Sequence, residues 1–157
     1  PRTSAARMTS RWASAAALAL MVGPSLAGQQ VREIGAGVVM LGRDPVTVVA
    51  GPYVGLRTTS RTRVAATAGA GVIVGALAWR GELAVHFLLA PGNRTGAGLY
   101  GGGGLALGGS DGDVHGWVLL LVGLEGRPGG ASGWFIEAGL GGGPRLAAGW
   151  RWRARRH

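Results

Sequence analysis

Of the side chains able to move protons, His86 and Glu82 are the pair whose spacing invites chemistry. In WRGELAVHFLLA, Trp79 to Ala90, they stand four positions apart. Side chains of an extended strand alternate between two faces, so this even separation puts both on one face. A carboxylate near an imidazole is the material of general acid/base catalysis. Asp111 and Asp113, in GGSDGDV, offer oxygens to a cation, yet a glycine-rich turn uses aspartate for its own geometry. GAGLYG, Gly96 to Gly101, spells the phosphate-cradling GxGxxG. With 32 glycines in 157 residues, chance supplies such a match, and no helix follows to aim its N-terminus at a phosphate. Three histidines at scattered positions and no cysteine give no metal-ligand spacing, and no cofactor is implied. The closing RWRARRH mixes cations with aromatics, which raises nucleic acid as a partner.

The elements that position these residues follow from parity. In Trp79 to Ala90, residues Trp79, Gly81, Leu83, Val85, Phe87 and Leu89 share one side, and Arg80, Glu82, Ala84, His86 and Leu88 share the other. A helix would scatter Arg80, Glu82 and His86 around its cylinder, whereas a period of two collects them. Beyond Gln30 the chain divides into eight such segments: Glu33–Leu41, Val46–Arg57, Arg63–Val74, Trp79–Ala90, Gly96–Leu107, His115–Glu125, Gly133–Gly141 and Arg145–Arg153. Between them lie GRDP, TTSRT, GALA, PGNR, GGSDGDV, GRPGGAS and GGGP, rich in residues that turn a chain. Regular short strands separated in this way predict an all-β sandwich or barrel. In the second, third, fourth, seventh and eighth segments every charged side chain falls on the non-greasy face. The first has Arg32 at the edge of its greasy row, and the sixth, WVLLLVGLE, is apolar on both sides.

The front of the chain has a different character. Arg2, Arg7 and Arg11 precede an apolar run, Ala13 to Val22, and then small residues at Ser25 and Ala27. This is the layout of a secretory signal peptide over residues 1–27, cut after Ala27, and its run is too short for a membrane span of roughly 20 residues. The expected mature domain is 28–157. Three of the sixteen arginines fall in the leader, leaving thirteen against seven acids, a net +6. In a secreted chain the basic tail meets anionic headgroups or ends as a solvated fray, and nucleic acid is not an expected partner.

Which face is inside decides the class. A soluble barrel fills its interior with the greasy face; an outer-membrane barrel turns that face to lipid. The polar face is crowded with Gly, Ala and Thr, narrow enough to fit with a few charges inside eight strands. A soluble protein would carry more Lys, Glu and Asp there. The expected lumen set is Glu33, Arg57, Arg63, Arg80, Glu82, His86, Glu137, Arg145 and Arg151. Such charges need partners: Glu137 meets Arg145 or Arg151, and Glu33 meets Arg151 or Arg153 where the barrel closes. An aromatic girdle is expected from Trp79 and Trp117 at one rim and Trp134, Trp150 and Trp152 at the other. A rival architecture makes Val64 to Trp79 part of a transmembrane helical hairpin, but its glycines cost a helix about 1 kcal/mol each relative to alanine.

Leader, eight alternating segments and the last segment RLAAGWRW together resemble a small eight-stranded bacterial outer-membrane β-barrel. The resemblance implies an antiparallel up-and-down transmembrane barrel, with the outer-membrane bilayer and the barrel insertion machinery as partners and both ends in the periplasm. It covers residues 28–153, while Arg153 to His157 run past the aromatic end usual in such proteins. Eight-stranded lipid hydrolases of that membrane place a serine two positions after a histidine like His86; position 88 is Leu, so that nucleophile is missing. The expected function is therefore non-enzymatic, structural or interactive. Two rivals are a soluble secreted barrel holding an apolar ligand and a lipid-modifying enzyme built on His86.

Overall fold

In a computed structural model, which describes residues 31–110 and 112–155 (of Arg155, the backbone alone), the chain is a closed eight-stranded barrel. The strands are β1 Val31–Leu41, β2 Thr47–Arg57, β3 Thr62–Ile73, β4 Ala76–Leu88, β5 Ala97–Ser110, β6 His115–Gly126, β7 Ser132–Leu140 and β8 Pro144–Arg155. Each pairs antiparallel with its sequence neighbour, and β1 closes on β8 from Val31↔Arg155 to Leu41↔Arg145. Closure leaves no strand edge unpaired. The lower end is where β1 begins and β8 ends; the upper end carries the turns after β1, β3, β5 and β7.

Sidedness is uniform around the wall. Leu83 and Phe87 are 55% and 61% exposed on the outer surface, whereas Glu82 between them is 7% exposed and turned inward. Leu105, Leu107, Val118, Leu120, Val122, Ile136 and Leu146 also face out. A period-two sequence in a closed sheet permits one such division, because a one-residue slip would exchange the two faces wholesale.

The rival helical reading falls, and the turn and two strand ends are corrected. Val64 to Trp79 is not helical: it is most of β3, a two-residue turn and the start of β4. That turn is Val74–Gly75 rather than GALA, and both residues have positive φ, 41° and 80°. Paired positive φ values are the geometry that joins two right-twisted strands in the shortest loop, and Gly75 meets it without a steric penalty. The fifth and eighth strands run further than parity suggested, to Ser110 and Arg155, because Gly and Arg at their ends still fill the ladder. The leader at 1–27, Asp111 and the end of the basic tail lie outside the described residues.

Candidate functional site: the charged interior

The barrel encloses four glutamates and six arginines, sorted into two layers along the axis. In the lower layer β2 and β3 set Arg57 directly opposite Arg63, a like-charge pair that is destabilising unless something sits between. Two glutamates do. Glu33 on β1 takes Arg57 Nε at 2.9 Å, Arg63 Nη1 at 3.3 Å, Arg153 Nε at 3.2 Å and Arg151 Nη1 at 3.5 Å. Glu125 on β6 takes Arg63 Nη1 at 2.8 Å, Arg153 Nη2 at 3.0 Å, Arg151 Nη1 at 3.6 Å and Arg57 Nη2 at 3.7 Å. Four cations thus share two anions.

The surplus is met by carbonyls and ring faces. Arg57 donates to Pro91 O and Pro128 O, and Arg153 to Arg127 O and Gly130 O. These acceptors belong to the turns 89–96 and 127–131, which bond to each other through Arg127 N→Gly96 O and Gly129 N→Asn93 O and so floor the lumen. Arg151, fully buried, lies 4.3 Å from the centre of the Phe135 ring, 5.0 Å from Tyr53 and 5.4 Å from Tyr100. Ring faces attract a guanidinium, more so away from water.

The upper layer balances its charges. Glu82 accepts from Arg80 Nε at 2.6 Å and from Arg145 Nε at 2.9 Å and Nη2 at 2.7 Å. Glu137 holds Arg145 Nη2 at 2.9 Å. Tyr100 joins the layers: its hydroxyl donates to Glu137 Oε1 at 2.7 Å and accepts from Arg151 Nη2 at 3.0 Å.

All nine residues expected in the lumen are buried there. Glu137 meets Arg145 and Glu33 meets both Arg151 and Arg153. Sequence reasoning missed Glu125 as a lumen residue, left Arg153 out of the set, and did not single out Tyr53, Tyr100 and Phe135. Glu125 escaped because β6 is apolar on both sides and Trp117, which shares its parity, was expected in the outward girdle, so steps of two from that residue carry Glu125 to the wrong face.

The histidine–carboxylate pair is dismantled by the same network. His86 faces Arg63 across β3 and β4, and Arg63 Nε donates to its Nδ1 at 3.2 Å. Its ring stacks on Tyr100 at 5.1 Å, and Glu82 is held by two arginines. Among the described residues no hydroxyl or thiol hydrogen-bonds to His86, and Leu88 is buried in the apolar cluster with Ala84, Tyr100, Leu119 and Leu121. No group of three or more His, Cys, Asp or Glu among the described residues could hold a metal. GAGLYG opens β5.

The girdle expectation needs one correction. Trp79 faces outward near the upper end, and Trp134, Trp150 and Trp152 face outward near the lower end, where Trp134 pairs with Trp150 across β7 and β8. Trp117 does not join them. It shares the inward parity of Leu119, Leu121 and Glu125, is half-buried, stacks on His115 at 5.9 Å, and lies beneath Arg43 and Arg80 at 5.2 and 5.5 Å. Two guanidinium groups over its ring favour the inward position. It closes the upper mouth of the lumen.

A cavity of about 40 Å³ in the lumen is lined by Val49, Ala65, Phe135 and other apolar groups together with Thr67, His86, Glu137 and Arg145, and another of about 140 Å³ lies at the upper mouth beside Arg80 and Trp117. The first is room for roughly three water-sized spheres. The soluble-barrel expectation required the greasy face inside, and Leu83, Val85 and Phe87 face outward instead.

No family model matches the chain, and no curated protein matches it. Solved structures match its fold. The N-terminal β-barrel domain of OprF from Pseudomonas aeruginosa superposes with a TM-score of 0.65 at 18% identity, covering 81% of this chain and all of that one. Neisserial surface protein A gives 0.55 at 11%, over 80% and 98%. Ail, the attachment invasion locus protein of Yersinia pestis, gives 0.51 at 14%, over 82% and 100%. The chain is thus an eight-stranded antiparallel barrel resembling bacterial outer-membrane barrel proteins.

Proposed function

We propose that this protein is a non-enzymatic component of a bacterial outer membrane: a transmembrane barrel directed there by the 1–27 leader, inserted by the barrel machinery, and serving a structural or interaction role. One observation carries the reading. The exposed surface of the wall is aliphatic and aromatic while the ions are enclosed, the reverse of a protein that dissolves in water. Strands of 9 to 14 residues reach across a hydrocarbon layer, which takes about 9–11 tilted residues. Two packed ionic layers with a floor of turns favour a plug over a conduit. The engagement of His86 by Arg63 and Tyr100 favours packing over catalysis.

Val85 and Asp113 provide the test. Refolded into phosphatidylcholine vesicles, Val85→Cys carrying an environment-sensitive fluorophore is expected to emit as in hydrocarbon and to be quenched by brominated acyl chains. Asp113→Cys, in the exposed turn before β6, is expected to react with a water-soluble maleimide. A water-accessible label at position 85, or recovery of the folded chain in the aqueous phase, rejects the reading.

A further inference from the structure

The two rims of the barrel differ in charge. Among the described side chains of the lower end, four exposed arginines come from four different elements: Arg32 on β1, Arg61 between β2 and β3, Arg94 between β4 and β5, where it lies against the 127–131 turn, and Arg127 between β6 and β7. None makes an ion pair among the described residues. The acids nearest this end, Glu33 and Glu125, are enclosed and already shared by four other arginines. The upper end instead sets Arg43 beside Asp44, with Asp113 exposed in the turn between β5 and β6.

Arg32 also sits at a marked depth, and the other three lie beyond the strand ends on the same side. Trp152 faces Ile34 across the β8–β1 seam, and the next outward pair toward the lower end is Ala154 with Arg32. Arg32 therefore projects one outward step, roughly 7 Å along the strand, beyond a tryptophan, while Trp134 and Trp150 extend the same aromatic band. Indole rings settle at the boundary between acyl chains and headgroups. A cation one step further out lies among headgroup phosphates.

From this layering we propose that the lower rim is a binding collar for anionic phospholipid, its four arginines engaging headgroup phosphates of the leaflet that surrounds it. The proposal rests on the membrane reading above. The four arginines come from four separate elements, one strand and three turns, and Arg32 stands on the lipid-facing side of the wall, which suits headgroups of the surrounding leaflet rather than a single docked protein or nucleic acid. An arginine near an anionic surface gains about fivefold in partition when little salt screens it. The collar would thus concentrate phosphatidylglycerol around the protein and fix the height at which the barrel rides.

The full chain, refolded into phosphatidylcholine vesicles containing one-tenth phosphatidylglycerol, tests this through its own tryptophans, because Trp134, Trp150 and Trp152 report on lipid beside the collar. Either lipid is supplied with brominated acyl chains, and quenching gives the preference of the protein for one over the other. A preference of threefold or more for phosphatidylglycerol at 50 mM salt is expected. It should disappear at 0.5 M salt, fall by at least half in the variant R32Q/R61Q/R94Q/R127Q, which keeps the basic tail, and persist undiminished in R43Q at the opposite rim. All four side chains are exposed, so the variant should refold, which its resistance to unfolding in cold detergent checks. Equal quenching by both lipids overturns the collar while leaving the membrane reading intact, as does a preference that is undiminished in the fourfold variant. Quenching by neither lipid overturns both.

Discussion

The two ionic layers inside the barrel are built from the same residue types but on different accounting. In the upper layer Arg80 and Arg145 meet Glu82 and Glu137 one for one. In the lower layer Arg57, Arg63, Arg151 and Arg153 share Glu33 and Glu125, and turn carbonyls with three aromatic rings meet much of the surplus, leaving Arg151 Nε without a hydrogen bond among the described residues. A balanced layer closes on its own charges, even though Arg145 on β8 crosses the lumen to reach Glu82 on β4. An unbalanced one depends on the whole barrel, because its acceptors come from β1, β6 and two turns at once. Burial of paired ions is not in itself stabilising; what the layers supply is a penalty for any other arrangement, since a shifted register would strand several guanidinium groups without partners.

The largest effect is therefore expected from Glu33→Gln. It leaves four buried arginines with Glu125 as their one anion, and breaking a buried pair by removing one partner costs on the order of 3–5 kcal/mol. Urea titration of the vesicle-embedded protein should show the loss, together with weaker protection of the turns 89–96 and 127–131 in amide exchange. A change below about 1 kcal/mol would mean that the surplus charge is carried by the carbonyls alone.

Glu137→Gln tests the balanced layer and should cost less, about 1–3 kcal/mol. The amide can still accept from Tyr100, and Arg145 keeps two bonds to Glu82. If it costs as much as Glu33→Gln, the distinction between layers is void. Reversing the order of the two effects would show that the upper layer is the keystone.

Much of this was readable before any coordinates. Parity alone separates Glu82 from Leu83 and Phe87, and it identified five strands with all charges on one side. Adjacent strands made Glu137–Arg145 and Glu33–Arg153 foreseeable, because diagonal or opposed positions on neighbouring strands lie within reach. The bonds from Arg63 to Glu125 and from Arg145 to Glu82 were not legible, since each crosses the lumen between strands that do not pair, and bore and stagger decide which rungs then meet. Trp117 was misplaced for another reason. Aromatic residues near a strand end read as girdle whichever way they face, and β6, apolar on both sides, offers no contrast to fix its parity; the cations that turn the ring inward, Arg43 and Arg80, sit on other elements.

Tyr100 is where the comparison can be sharpened at the lowest cost. Its hydroxyl alone bridges the layers, donating to Glu137 above and accepting from Arg151 below, while its ring stacks on His86 and lies under Arg63 at 4.8 Å. Tyr100→Phe keeps the ring and deletes the bridge, so the expected loss is about 1–2 kcal/mol. Its informative use is in double-mutant cycles, which isolate pairwise coupling. Combined with Glu137→Gln it should be strongly non-additive, because the two partners share one hydrogen bond. Combined with Glu33→Gln it should be additive to within about 0.5 kcal/mol if the layers are independent units stacked in one wall. Coupling of both pairs would instead make the interior a single network from rim to rim, with Arg151 as the relay. The balanced layer would then hold its geometry only as long as the crowded one below it does.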